Sequence, residues 1–448
     1  MTWLAAYGEA LRVYEGVGDL ALDQGSVLDC HFEVAQLSNG AILGRCRIKS
    51  IKSANGLVKS YGGLLGTCGL RGEMQDGATV EIATASASGP VPDSSGGSGA
   101  EIRLDADDLD VERNETGREV TLRFGLTNLE TRGHPEIRVD SRAMALQRVD
   151  DYEGVLSSLY AAKGTKVTSN LVVPVVSEID VRDTLTCASD LCWLLSLAAG
   201  TYVTWLYYDV FDPVGELVLT HHRSVKTRPF CPWHLICPED LRDFVETCYG
   251  GYKKCQDTYG LPAAIDAYLE SKLYANGETK FSLATIAIET LNSRFAKEND
   301  WEYVVGSGAF KPVKKGLERT LLRDFADRLC AEQIEALGEK LPELRRRTYK
   351  SQVMSMCQEV GLSVGGEDLT WKTLRDRVIH EGSFGCGYSE WFPEYLKLLH
   401  LIESVLMSIM GYDGWYRDCR DGYRRARFER ADQKLPRGTT ELSKPGEP

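Results

Sequence analysis

The sequence predicts an α+β protein: a β-rich N-terminal region, a sandwich or barrel-like sheet, followed by a C-terminal all-α helical bundle. Three observations carry this. Runs alternating apolar and polar residues fill 1–150, runs with apolar residues three and four apart fill 256–430, and 151–255 mixes the two. A period of two puts successive side chains on opposite faces of a strand, whereas spacings of three and four gather them on one face of a helix. At 448 residues the chain is long for one core, so more than one domain is expected.

In the first region "VLDCHFEVA", "AILGRCRIKSI", "ATVEIATAS", "EIRLDAD" and "EVTLRFGLTNL" read as strands separated by Gly, Asn and Asp. Within it the low-complexity "SASGPVPDSSGGSG", Ser86 to Gly99, reads as a mobile loop. In 151–255, "NLVVPVVSEI" and "GELVLTHHRSV" read as strands and "PEDLRDFVETCYGGYKKC" as a helix. Leu191 to Tyr208 carries no charge for eighteen residues, close to the minimum for a membrane span. Asp190 beside it, Gly200 within it and the absence of a basic flank favour a buried helix over Asp190–Ala199, a turn, and a strand.

From 256 on, six runs read as helices: "LPAAIDAYLESKLYA", "FSLATIAIETLNSRFAKEN", "TLLRDFADRLCAEQIEAL", "ELRRRTYKSQVMSMCQEVGL", "TWKTLRDRVIHEG" and "YSEWFPEYLKLLHLIESVLMSIMGY". Long amphipathic helices with modest loops predict a bundle. Residues 431–448, rich in Pro, Gly, Lys and Glu, read as a disordered tail.

A net charge of −13 argues against wholesale coating of nucleic acid, though not against a local basic groove. Thirteen cysteines without a C-x-x-C pair, and no signal peptide, suit free thiols in a reducing cytoplasm. Cys231, His234 and Cys237 in "CPWHLIC" match none of the common zinc spacings and read as buried thiols and a structural histidine, so no metal or cofactor is expected. Phosphate-loop, metalloprotease and serine-hydrolase motifs are absent.

One stretch carries more chemistry: "TLRDRVIHEGSF", Thr373 to Phe384. On a helix from about Thr370 to Glu381, Asp376 and His380 are four apart and share a face, so the carboxylate is expected to hold the imidazole. Arg375 lies five residues before His380, roughly 140° away around the helix. An imidazole titrating near neutrality plus a fixed cation is a minimal kit for attack at phosphorus: one moves the proton, the other neutralises the developing oxyanion.

The arrangement Arg375, Asp376, then His380 resembles the R-(polar)-x-x-x-H motif of the HEPN superfamily of ribonucleases and RNA-binding bundles. The following "EWFPEYLKLLHLIESVLMSIMGYDGWYRD" looks like the last helix of HEPN domains in ApeA-like bacterial anti-phage proteins. "FSLATIAIETL" resembles the family's earlier bundle helix, with Glu289 where an acidic residue often faces the site, and "LLSLAAGTYVTW" a segment upstream of the bundle. The resemblance covers about 256–425.

It implies a HEPN bundle over 256–430 and metal-independent RNA cleavage, with tRNA one candidate substrate, in an abortive-infection type of defence. The ribose 2′-hydroxyl would attack the adjacent phosphate with His380 as base or acid, Arg375 stabilising the phosphorane and Asp376 orienting. Such bundles are usually dimers, which would bring a diverging Arg and His together between two chains. The β-rich region would sense or restrain, with a phage protein as trigger and no membrane involved. The alternative is a non-catalytic HEPN module that binds RNA or senses a protein.

Local charge suits RNA. Lys311 to Lys350 holds eleven basic and seven acidic residues. Within it Arg345, Arg346, Arg347 and Lys350 are expected to track a backbone, joined by Arg377, with Tyr349 stacking a base. Arg417 to Arg430 is a second basic run, with Tyr423 and Phe428 as further stacking candidates.

Overall fold

A computed structural model describes residues 3–23, 26–48, 64–92, 100–114, 119–175, 177–274, 276–325 and 327–429. Its first part is a closed six-stranded antiparallel barrel: β1 (Ala10–Leu22), β2 (Val27–Leu37), β3 (Ile42–Ile48), β4 (Leu64–Met74), β5 (Thr79–Pro92) and β6 (Ala100–Ala106). The order β4-β1-β2-β3-β6-β5 is closed by pairing of β4 with β5. Alternation along the strands sets which side chains face inward. Leu28, Cys30 and Phe32 of β2, Val80 and Ile82 of β5, and Ile102 and Leu104 of β6 point inward and fill the interior. Gly16 and Gly72 sit where β1 and β4 pass over Phe32; a Cβ on Gly16 would lie 2.3 Å from the Glu73 carbonyl oxygen, so only glycine fits that approach. The segment expected as a loop at Ser86–Gly99 is strand as far as Pro92, because Ala85 and Ala87 are small enough to face the packed interior; the rest of that segment, and the tail 431–448, lie outside the described residues.

Strand β5 also pairs with β7 (Asp108–Glu112), which carries the sheet onward. The order continues β7-β13-β12-β8-β11-β10-β9, where β8 is Val120–Thr127, β9 Glu136–Val139, β10 Arg142–Arg148, β11 Val167–Val175, β12 Trp205–Phe211 and β13 Leu217–Arg223. Buried polar contacts tie the barrel to this extension. Arg12 pairs with Asp209 at 2.6 Å, and His222 bonds Tyr14 at 2.8 Å and Gln36 at 2.6 Å. Burial lowers the His222 pKa to about 3, so the ring is neutral and shares its bonds as an uncharged link.

Ten helices lie among the described residues. Helix α1 (Tyr152–Ala162) connects β10 to β11, and α2 (Glu178–Ala199) lies on the extended sheet. The latter ends at Gly200, whose φ of +63° closes a left-handed cap before β12. No helix is long and apolar enough to cross a membrane among the described residues. Helices α3 (Leu241–Tyr259), α4 (Leu261–Leu273), α5 (Gly277–Glu298), α8 (Tyr349–Glu359), α9 (Trp371–Glu381) and α10 (Tyr388–Met410) pack into a bundle sharing its core with α2 and the sheet. The two main cores therefore run from Tyr14 to Val111 and from Val120 to Phe428, which does not coincide with an expected division at 150 and 255. The 151–255 strands complete the sheet, and its last helix opens the bundle.

Two helical expectations change. "TLLRDFADRLCAEQIEAL" is not one helix: α6 (Ser307–Asp324) ends and α7 (Ala331–Lys340) begins anew with Cys330 as N-cap. This pair stands off the core; α6 buries Phe310 and α7 no residue, while Val313, Leu322 and Leu337 are exposed. "ELRRRTYKSQ" is likewise divided into a 3-10 turn over Leu341–Arg345 and α8 from Tyr349.

The bundle core contains a polar cluster around Glu403. The Tyr268 hydroxyl donates to Glu403 Oε1 at 2.6 Å, and Lys272 Nζ donates to the Tyr268 hydroxyl at 3.2 Å and to the Trp233 carbonyl at 2.8 Å. Burial pushes the Glu403 pKa up to about 7, against the pull of Lys272 and the Tyr268 bond.

A candidate active site around Arg375

Helix α9 is fixed by one apolar stripe. Trp371, Leu374 and Val378 are buried at spacings of three and four. Arg375 and Asp376 fall at the edge of that stripe, and Arg377, Ile379 and His380 on the open side. Gly382, φ +73°, ends the helix and returns its N–H to the Val378 carbonyl at 3.1 Å.

Arg375 is held on three sides. Its Nε donates to Glu289 Oε1 of α5 at 2.7 Å, and Nη2 donates to the same oxygen. Nη1 donates to Asp376 Oδ1 at 2.8 Å. The guanidinium lies 4.9 Å from the Tyr349 ring centroid, and that ring meets Trp371 edge-on at 6.2 Å. Burial works against the Arg375 charge, but the two carboxylates outweigh it and raise the pKa. Asp376 is correspondingly lowered: its own burial opposes ionisation, and bonds from Arg375 and Lys372 overcome it. Two of the five guanidinium N–H groups remain for another acceptor.

The structure brings Arg375, Asp376 and Glu289 together and leaves His380 apart from them. The expected Asp376–His380 bond does not form, because Asp376 has two closer cations: Arg375 beside it and Lys372 one turn earlier at 3.2 Å. His380 is exposed, with no hydrogen-bond partner among the described residues. Lys372 and His380 both lie four residues from Asp376, so spacing offered either partner. Arg377 is exposed and reaches the Phe384 carbonyl at 3.4 Å.

The expected RNA contacts are only partly open. Tyr349 is the platform under Arg375 and not a free stacking ring; burial raises its pKa, and its hydroxyl is buried without a partner among the described residues. Arg345 and Arg347 lie over Tyr303 at 3.9 Å and Trp301 at 5.5 Å, while Arg346 pairs with Glu343 at 3.4 Å. Lys350 is exposed on the first turn of α8. The Arg417–Arg430 run forms a hairpin of β14 (Gly414–Asp418) and β15 (Arg424–Phe428). Carboxylates take its arginines: Arg425 bonds Asp240 at 2.8 Å, Arg427 Asp413 at 3.0 Å and Arg420 Asp418 at 2.9 Å. Tyr423 stacks on Trp233 at 4.9 Å and Phe428 is buried, so neither is free to stack a base.

All thirteen cysteines are free thiols. Cys237 Sγ accepts from Arg417 Nε at 3.2 Å, and His234 faces Glu130 at 3.4 Å. No group of three or more His, Cys, Asp and Glu side chains is arranged to hold a metal ion among the described residues. No protein-family model, curated protein or solved structure matches the chain.

Proposed function

We propose that the protein is a metal-independent endoribonuclease of HEPN type, acting in an ApeA-like anti-phage defence. The observation that supports this best is a guanidinium anchored by Glu289, Asp376 and Tyr349, with N–H groups left over, on the same short helix end as an exposed imidazole. Glu289 and Asp376 act as positioning residues that fix the Arg375 plane. Arg375 meets the non-bridging oxygens of the scissile phosphate as charge builds on the phosphorane. His380 takes the proton from the ribose 2′-hydroxyl or returns one to the leaving 5′-oxygen. The bond from O2′ to phosphorus forms as the bond to O5′ breaks, giving a 2′,3′-cyclic phosphate and a 5′-hydroxyl.

Because Arg375 and His380 point apart on one helix, the active unit is a dimer in which α9 of each copy meets its symmetry mate. Ile286, three residues before Glu289, and Ile379, beside His380, are 49% and 52% exposed and supply apolar surface for that contact. Lys311, Lys315 and Arg319 of the outlying α6, and Lys350 and Arg377 nearer the site in sequence, are exposed cations available to the RNA backbone. The barrel is the sensing or restraining module, and a phage protein its trigger.

A second reading has its own observation: Arg375 is closed by two carboxylates and His380 lacks an orienting partner, as suits a module that binds RNA or a partner protein without cleaving. Incubating the purified chain with bulk RNA in EDTA and mapping the ends separates the two. Fragments ending in 2′,3′-cyclic phosphate support the enzyme, and intact bound RNA supports the module.

A further inference from the structure

A cavity of about 360 Å³ lies where the second half of α2, the residues entering β12, the end of β13 and α4 meet. Part of its wall is apolar, from Cys192, Trp193 and Val203, and part is cationic, from Arg223, Lys226 and Arg228. These cations are not equivalent. Arg228 pairs with Glu270. Arg223 has no carboxylate partner among the described residues. Its Nε donates to the Trp205 carbonyl at 3.0 Å, its Nη2 to Thr204 Oγ1 at 3.0 Å, and the guanidinium lies 3.3 Å from the Trp205 ring centroid. Nη1 donates to no acceptor among the described residues. Lys226, exposed at the mouth, is likewise without an ion pair among them. The one carboxylate in the wall, Asp266, is engaged by the Tyr202 hydroxyl.

A guanidinium withdrawn from water without a counter-charge is costly. Burial accordingly pulls the Arg223 pKa down to about 10, the direction of a cation short of an anion. The space is within the range of small-molecule sites, and its apolar wall offers nothing to a bare inorganic ion. Two unpaired cations beside an indole suit a dianion attached to a flat ring. Arginine in particular matches phosphate oxygens through directed N–H donors.

We propose that this cavity binds a small organic phosphate of nucleoside-monophosphate size, its phosphate between Arg223 and Lys226 and its ring against Trp193. The site is separate from the Arg375 cluster and does not depend on RNA cleavage. Titration calorimetry of the full-length chain with AMP and CMP tests it, with adenosine and inorganic phosphate as controls. Saturable binding of at least one nucleotide at one site per chain is expected. The controls, and the variants Arg223→Gln and Lys226→Glu, should bind about tenfold or more weakly, the loss typical of removing a charge-assisted contact. Lys226 is exposed, so Lys226→Glu should keep the unliganded melting temperature and decides the matter if Arg223→Gln does not fold. Arg375→Ala should bind the nucleotide as the wild type does. No binding of either nucleotide, binding unchanged in Lys226→Glu, phosphate bound as tightly as the nucleotide, or binding lost in Arg375→Ala would overturn the proposal.

Discussion

Replacing Glu403 by Gln should make the protein more stable at neutral pH and leave it unchanged in acid. The side chain is 1% exposed in the bundle core, and its pKa is raised from an ordinary 4.5 to about 7. The folded state therefore keeps a proton that the unfolded chain has lost. The sign follows: this stability is fully present below about pH 4.5, declines as pH rises, and is gone above about 7. At about 1.4 kcal/mol per pH unit the full displacement corresponds to about 3 kcal/mol. Gln retains an oxygen for the Tyr268 hydroxyl and cannot ionise. Glu130, Asp209 and Asp376, whose pKa values are lowered, stabilise in the opposite sense, losing their contribution as pH falls. They are common to both proteins and cancel in the difference. Urea unfolding of the two at pH 5, 6, 7 and 8 gives that difference directly. It should grow by about 1.4 kcal/mol per unit up to pH 7 and then level off. Parallel curves would refute the argument that Glu403 is buried and protonated.

Three further outcomes are expected. Gly200→Ala should cost about 2 kcal/mol or more in chemical denaturation, because φ is +63° and the new Cβ would lie 1.9 Å from the Trp233 carbonyl oxygen; a cost under about 0.5 kcal/mol would contradict that contact. Glu289→Gln should cut RNA cleavage by about ten- to a hundredfold through loss of Arg375 positioning, with the pH profile of the His380 step kept and stability lowered by about 1 kcal/mol or less for a pair this exposed; an equal fall in stability and activity would make Glu289 merely structural. Elemental analysis should find no zinc on the purified chain, and one zinc per chain would overturn the reading of Cys231, His234 and Cys237.

Much of the fold was legible because its signals are local. The alternation in "VLDCHFEVA" sets which side of β2 faces the barrel. Gly200 and Gly382 stop their helices where a left-handed residue is needed, and the stripe of Trp371, Leu374 and Val378 is visible in eight letters. Closure of the barrel was not legible, because pairing of β4 with β5 is a relation between strands and leaves no mark on either. Ser86–Pro92 misled because small residues serve a crowded strand as well as a loop. The site divided in the same way. Arg375 and Glu289, eighty-six positions apart, meet because α5 packs on α9, a relation between helices that neither stretch records by itself. Asp376 took Lys372 and Arg375 instead of His380, a competition that spacing alone does not rank. Tyr349 was visible as an aromatic beside basic residues, but its place beneath Arg375 depends on how α8 packs on α9.

Metal-free RNA cleavage by Arg375 and His380 is the proposal on which the rest turns. Its most direct test is the cleavage rate of bulk tRNA in EDTA for wild type, His380→Ala, Arg375→Ala and Arg375→Lys, with RNA ends mapped and dimer content measured in each. The wild type should leave 2′,3′-cyclic phosphate ends, and His380→Ala, whose side chain is exposed in the single chain, should fold and not cleave. Arg375→Ala should fall at least several hundredfold, and Arg375→Lys should recover little of the loss, since a point charge cannot reproduce a planar fork. Wild-type cleavage by His380→Ala, or dependence of the wild type on a divalent cation, would contradict it.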